Sequence, residues 1–441
     1  MYDNIEMTVE QQRKLEEGKI AQDTIEPPTP QRLPSILESR HRNGHMIHKC
    51  LLLTSCLVAI VAIITLGVVA GTKKKDKNDC NCIFTSSTED STSIQNLWYE
   101  ITPKGKLPPE RLAHAAETVS NEYLYIHGGM YGTGNISYND IWRYHQDTNT
   151  WEELQTSGDD IPSRRLHHSM VNINNEQLLI FGGFNVFNTQ SHHDSYNDLY
   201  SFDLSKLAWK KINANTNNWP TKRGAHDAVY VNGLMYMFGG YESIGSTGHL
   251  AEFWSYDPRS NLWTDLTQTD DDTYPVGRIG FTMADGGDGK IYLFGGACSD
   301  PSVSDSGQCS DSWKYEPFTN QWTRLYPTGN IPDSRRATHG DIAIYGLLFQ
   351  YGGVNIQVID SAPSITMFDD LHVYDPTSNM WMQLYPNYNR DPKPPAVFGH
   401  SVSRLGTRLV IFGGRIGSPA SPGSNMLWEY EVPTPSSYLH F

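Results

Sequence analysis

Residues 111–154 read RLAHAAETVSNEYLYIHGGMYGTGNISYNDIWRYHQDTNTWEEL, and the same plan returns five more times along the chain. An Arg-x-x-His start (Arg111, His114) leads into an apolar run that stops at a glycine doublet. An acidic residue then opens an aromatic cluster (Asp140, Ile141, Trp142, Tyr144), and Trp151 begins the last segment. The doublets are Gly128-Gly129, Gly182-Gly183, Gly239-Gly240, Gly295-Gly296, Gly352-Gly353 and Gly413-Gly414, spaced by 54 to 61 residues. Short apolar and aromatic runs bounded by turn formers predict four strands per unit, in the first unit over 113–119, 123–127, 140–145 and 151–154. Four strands repeated at about 50 residues predict a radial all-β array.

Two units depart from the plan. The fourth has Phe281 where the histidine should stand, and the sixth has Val397 in place of the arginine, followed by His400. The sixth also ends without a closing Trp strand, after Trp428 and Tyr430. A closing strand without a unit stands at the other end: Trp98-Tyr99-Glu100-Ile101 matches Trp151-Glu152-Glu153-Leu154 and its later copies. The expectation is a six-bladed β-propeller over residues 98–432 in which this first strand completes the last blade and leaves no free sheet edge.

These residues resemble the kelch superfamily, and the longer spacing with the Arg-x-x-His start is closest to attractin/muskelin-type or Rab9-effector-type kelch domains. The resemblance implies that the doublet ends the second strand of a blade, that tyrosines and tryptophans pack between blades, and that partners bind the loops of one rim. It implies no single activity, because kelch propellers serve unrelated functions. Two catalytic branches are tested by their motifs. Copper sites similar to galactose oxidase need a tyrosine cross-linked to a cysteine, whereas the propeller cysteines, Cys298 and Cys309, share one loop. Plant specifier proteins hold iron with an E-x-x-x-D-x-x-x-H run, and no glutamate here has that spacing. The reading is a non-catalytic binding protein without metal or cofactor.

The first hundred residues form a different object. Leu51–Gly71 carries no charge, and about 21 residues at ~1.5 Å each span a bilayer core, so a transmembrane helix is expected over 51–71. A cleaved signal peptide would need a shorter n-region than 50 residues. Residues 1–50 read as a disordered tail in which Pro27, Pro30 and Arg32 fit an SH3 ligand pattern, with a plain linker as the alternative. Residues 72–97 read as a stalk, Lys-rich and then Ser/Thr-rich, and 433–441 as a tail. Residues 1–97 hold 11 Lys+Arg and 12 Asp+Glu, a balance of −1, so of the chain's −15 about −14 falls on the propeller. That field repels nucleic acid and anionic membrane surfaces and suits a basic or neutral partner.

Orientation rests on opposing signals. Arg40, Arg42 and Lys49 precede the apolar segment while Lys73, Lys74, Lys75 and Lys77 follow it, which slightly favours a cytosolic propeller. Cys298 and Cys309 stand at the two ends of one inter-strand loop, where hairpin geometry can bring them into disulfide range, and Asn135-Ile136-Ser137 is a glycosylation sequon. Both favour a lumenal or extracellular propeller, and the expectation is a single-pass type II membrane protein. The partner is expected to be a protein or a glycan at the rim loops, with Tyr131, Phe187, His193, Tyr241 and Arg415 as contact candidates. His192-His193-Asp194 as a metal set and Asp270-Asp271-Asp272 as a cation site are weighed against solvated loops, and the loops are preferred.

Overall fold

The computed structural model describes residues 97–433 apart from 133–135, 159, 187–192, 214–217, 244–247, 269–272, 299–308, 334–339, 360–361, 385–391 and 419–420. The tail, the expected transmembrane segment, the stalk and the SH3 pattern lie outside these residues. Among the described residues no helix is long and apolar enough to cross a membrane.

Each repeat folds into an antiparallel four-stranded sheet with its strands in chain order from first to fourth, and in blade 5 the short strand Thr328–Gly329 adds a parallel edge to the fourth. Blade 1 consists of Ala115–Val119, Tyr123–His127, Ile141–His145 and Thr150–Glu153. Blades 2 to 5 begin at Ser169–Ile173, Asp227–Val231, Thr282–Asp285 and Gly340–Ile344, and blade 6 at Ser401–Leu405. The six first strands lie side by side in a closed cycle, blade 6 touching blade 1. Alternation of direction then places every doublet and every described Arg-x-x-His segment at one end of the ring. The tight turns between first and second strands, and between third and fourth, lie at the other.

Blade 6 borrows its fourth strand from the beginning of the propeller. Trp98–Ile101 pairs antiparallel with Leu427–Glu431, Trp98 opposite Tyr430 and Ile101 opposite Leu427. Its tryptophan does what the others do. Trp151 packs on Tyr144 of its own blade (ring centroids 5.3 Å apart) and on Phe412 of the preceding one (4.9 Å). Trp98 packs on Tyr430 of its own blade at 4.9 Å and on Tyr351 of blade 5 at 5.3 Å, 2 % exposed.

The core is divided among the seams. Six apolar clusters each join two neighbouring blades, for example Tyr125 and Ile141 of blade 1 with Leu178, Phe202 and Trp209 of blade 2, or Trp98 and Tyr430 of blade 6 with Phe349 and Val373 of blade 5. Twisted sheets diverge outward, and large edge-to-face aromatic rings fill that wedge better than aliphatic side chains would.

Candidate functional site

The doublet-bearing end is built from repeated latches. Arg111, fully buried, gives Nη1 and Nη2 to the two Asp140 carboxylate oxygens (2.8 and 2.7 Å), Nη1 also to the Gly128 carbonyl (2.9 Å) and Nε to the Pro109 carbonyl (3.1 Å). Trp142 Nε1 donates to the same carboxylate at 2.7 Å. Burial pushes the Asp140 carboxyl up, but the bonds and charge of Arg111 outweigh it and hold the group below its ordinary value. Arg165–Asp198, Arg223–Glu252 and Arg278–Asp311 repeat the arrangement.

The doublet is where one blade meets the next. Gly129 donates its N–H to the Arg165 carbonyl of blade 2 at 2.8 Å, and a Cβ on Gly128 would stand 2.5 Å from that same oxygen. All twelve doublet glycines have φ between +64° and +98°, which a side chain opposes.

Blade 6 abandons the latch entirely. Val397 replaces the arginine, and the position of Asp140 is taken by Met426, packed with Val397 in one apolar cluster. Losing both partners avoids the cost of a buried unpaired charge. Removing one partner elsewhere has a different result: Asp198→Met is expected to cost about 3–5 kcal/mol, while Asp198→Met with Arg165→Val, the pair blade 6 carries, recovers most of it. Equilibrium denaturation of the two variants decides this; equal losses would refute the latch.

Histidines hold the seams. His114 Nε2 and Ser401 Oγ are 3.0 Å apart between blades 1 and 6, and His226 Nε2 and Ser169 Oγ are 2.9 Å apart between blades 3 and 2. At the seam of blades 1 and 2 the serine is replaced by Ala115, and its cross-strand neighbour, a phenylalanine opposite the other two serines, is His127. His127 Nδ1 lies 2.9 Å from His168 Nε2, so the polar contact has moved one strand over. Phe281, in the fourth unit, fills the same space against Gly239 with a ring that makes no such bond. Burial, helped by Arg111 and His400, lowers His114 to about 3, and burial lowers His400 to about 4.

Inside the arginine ring runs a girdle of main chain. The third residue of each described Arg-x-x-His segment is left-handed: Ala113, His167, Ala225, Gly280 and Gly399 have φ of 54°, 55°, 53°, 59° and 65°. Each link passes to the preceding blade. Ala113 N–H donates to Gly399 O, His167 to Ala113, Ala225 to His167 and Gly280 to Ala225, at 2.8 to 3.1 Å. Three of these five carry side chains in a conformation that costs roughly 1–2 kcal/mol per residue, so neighbouring contacts enforce it.

Outside the girdle stand the rim hairpins. Tyr131 lies on Met130–Tyr131, pairs in register with Ile136, and both are exposed, at 39 % and 45 %. His193 begins the strand His193–Ser195, opposite Val186. Phe187 and Asn135 lie outside the described residues, as do His192 and Asp270–Asp272. Tyr241 and Arg415 are corrected: they are 1 % and 2 % exposed and present no face to a partner. Among the described residues, Met130, Phe184, Tyr241, Ala297 and Arg415, each after a doublet, pair with an Arg-x segment, as Gly224 with Tyr241 and Phe398 with Arg415, and are buried or half-buried there. Tyr241 stacks near Phe184 at 4.8 Å, while Arg415 Nη2 donates to the Gly132 carbonyl at 2.8 Å and braces the blade 1 hairpin across the closure seam. Cys298 and Cys309 form a buried disulfide, Cα atoms 5.7 Å apart, across the loop of blade 4. A groove beside blade 2, lined by Asn197, Asp198, Lys211 and Trp219, shares its carboxylate with the Arg165 latch.

Doublets, arginine latches and six seams define a kelch-type β-propeller, a scaffold that presents loops at one end. Residues 57–296 and 186–414 match the KLHDC2/KLHL20/DRC7 Kelch-repeats domain, and the chain belongs to that kelch-repeat family. It is 25 % identical over 331 residues to the tag-53 protein of Caenorhabditis elegans, covering 72 % of this chain and 23 % of that protein. Against Kelch domain-containing protein 3 of Homo sapiens it is 26 % identical, covering 70 % of this chain and 79 % of the relative. Against an N-(sulfonatooxy)prop-2-enimidothioate sulfolyase of Thlaspi arvense it is 26 % identical, covering 59 % and 75 %. The solved structure of YjhT superposes with a TM-score of 0.56 at 15 % identity, over 73 % of this chain and 95 % of that one, which speaks for the fold. The chain thus spans about a quarter of tag-53.

Proposed function

We propose that the chain is a membrane-anchored binding protein, single-pass and type II, whose propeller holds a protein or glycan on its rim hairpins without making or breaking bonds. The observation that carries this reading is the blade 1 hairpin, where Tyr131 and Ile136 stand exposed and in register on a scaffold already ordered before binding. Aromatic and aliphatic anchors of that kind contribute most to protein interfaces, and a rigid scaffold lowers the entropy lost on association. Repeated arginines, histidines and glycines are occupied in holding blades together, which leaves recognition to the loops. The name of the sulfolyase relative favours catalysis, but the E-x-x-x-D-x-x-x-H run by which plant specifier proteins hold iron is absent from this sequence.

The disulfide supports an extracellular or lumenal propeller, since such bonds persist in oxidising compartments. A sugar on Asn135 would accord with it. The second reading, a cytosol-facing adaptor tethered to a membrane, is favoured by the lysines that follow residue 71. Protease treatment of sealed vesicles with their cytosolic face outward separates the two. The propeller is expected to survive until detergent is added; digestion without detergent would establish the adaptor. In the correct compartment, Tyr131→Ala with Ile136→Ser is expected to reduce cross-linking to rim partners about tenfold or more, a loss of ~1.4 kcal/mol. An unchanged cross-linking pattern would move recognition away from this hairpin.

A further inference from the structure

The turn that joins the third and fourth strands is capped in the same way in blades 2, 3 and 5. Asp203, Asp257 and Asp375 end the third strand, and each accepts the N–H of Lys206 (2.9 Å), Arg259 (2.9 Å) or Thr377 (2.8 Å) in its own turn. Ser260 Oγ and Ser378 Oγ add a second bond to Asp257 and Asp375 at 2.9 and 2.7 Å. Blade 4 has Glu316 at this position, and blade 1 has His145.

His145 keeps the cap with one nitrogen and turns the other outward. Nδ1 lies 2.9 Å from Thr148 Oγ1, the counterpart of those serines, and Thr148 Oγ1 is 2.7 Å from Thr150 Oγ1. Nε2 faces Glu122 Oε1 at 3.0 Å, across the register pair Tyr123–His145, and the Tyr123 ring is stacked on the imidazole at 4.8 Å and 25°. Asp147, in the position of Arg259 and Thr377, adds a second carboxylate, and one ligand atom from each of the three residues lies within 4.8 Å of the others. In the tautomer that donates Nδ1–H to Thr148, the Nε2 lone pair is directed toward Glu122 and can ligate a cation; in the other, Nε2–H donates to Glu122.

We propose that Glu122, His145 and Asp147 form a surface site for one divalent first-row transition ion such as Zn²⁺, at the end of blade 1 remote from the doublets. One imidazole and two carboxylates suit this class of ion, and a water completes four-coordination. Ligand atoms ~2.0–2.2 Å from zinc stand about 3.4 Å apart, so Glu122, with Oε1 3.0 Å from Nε2, moves out slightly and the exposed Asp147 carboxylate adjusts by rotamer change. The oriented Nδ1 is the outer support that metal-bound histidines use. The bound ion would clip the turn at Glu122 to the turn at Asp147. This proposal is independent of the rim-binding reading.

Titration of the purified full chain with ZnCl₂ by calorimetry, and with Co²⁺ by visible absorption, tests it. Wild type is expected to bind one more equivalent than His145→Ala or Glu122→Gln, and to show a Co²⁺ ligand-field band that both variants lose, while without metal Glu122→Gln keeps the wild-type far-UV spectrum and melting. Should His145→Ala fail to fold, Glu122→Gln and Asp147→Asn, both on exposed turns, carry the comparison. Equal stoichiometry in wild type and variants, or no binding by wild type at 1 mM metal, overturns the site.

Discussion

Deletion of Trp98–Ile101 is expected to leave a propeller that aggregates instead of a closed monomer. Those four residues supply the outer strand of blade 6, and without them the Leu427–Glu431 strand presents its backbone to any passing edge. The deletion also uncovers Tyr351 and Tyr430, against which Trp98 packs. Trp98→Ala, which keeps the strand and removes only the ring, is expected to cost about 3–5 kcal/mol. Light scattering and thermal melting separate the two effects: the point variant melts lower but remains monomeric, while the deletion loses its cooperative transition. A monomeric deletion that melts like the wild type would disprove closure by this strand. Because the strand and its partner lie at opposite ends of the propeller sequence, sealing waits until both are available, the non-local pairing that slows folding.

The second large effect is lability in acid. His114 and His127 are held near 3, His167 and His400 near 4, and His168 and His226 well below their ordinary value, in every case chiefly by burial. A histidine depressed in the fold stays neutral there while the unfolded chain takes up a proton, so its stabilisation is complete above pH 6.5 and is lost as pH falls toward 4. Two carboxyls act oppositely. Burial raises Glu117 to about 8 and Asp227 to about 7; each stays protonated in the fold while the unfolded chain ionises above pH ~4, so their contribution is lost as pH rises. Burial also lowers His249 and raises Asp285, so between pH 6.5 and 4.5 seven histidines oppose three carboxyls, an excess of up to four protons. At about 1.4 kcal/mol per proton per pH unit, stability falls by as much as ~5 kcal/mol per unit, comparable with the whole stability of many domains within two units. Near-ultraviolet circular dichroism and melting followed from pH 7.5 to 4.5 measure it, and His226→Gln is expected to flatten the slope by about one proton. A melting temperature that does not move between pH 7 and 5 would falsify this account.

The ring was legible because its repeating parts are local. Doublets, Arg-x-x-His starts and the spare Trp98 strand can be aligned by eye, and the doublet's positive φ follows from glycine chemistry. The latch was only half legible: Arg111 meets an acid 29 residues away, and nothing before the fold is known ties Val397 to Met426, so the sixth unit reads as missing one contact when both have gone together. Tyr241 and Arg415 misled because loop position was taken for exposure. A signal was present, for the residues after the doublets are Met130, Phe184, Tyr241, Ala297, Val354 and Arg415, five of them apolar, as covered positions would be. His145 and Glu122 come together only through strand register, and no spacing rule reveals that.

The girdle at the mouth also limits what a guest there can be. Four of its amides, those of Ala113, His167, Ala225 and Gly280, donate sideways to a carbonyl of the preceding blade, so these N–H groups are not offered to a visitor in the central opening. A phosphate or carboxylate held by converging backbone donors, as at helix starts and anion nests, gains nothing from these four links. At these links a guest is told apart by side chains, within a bore that turns bonded from blade to blade have already shaped.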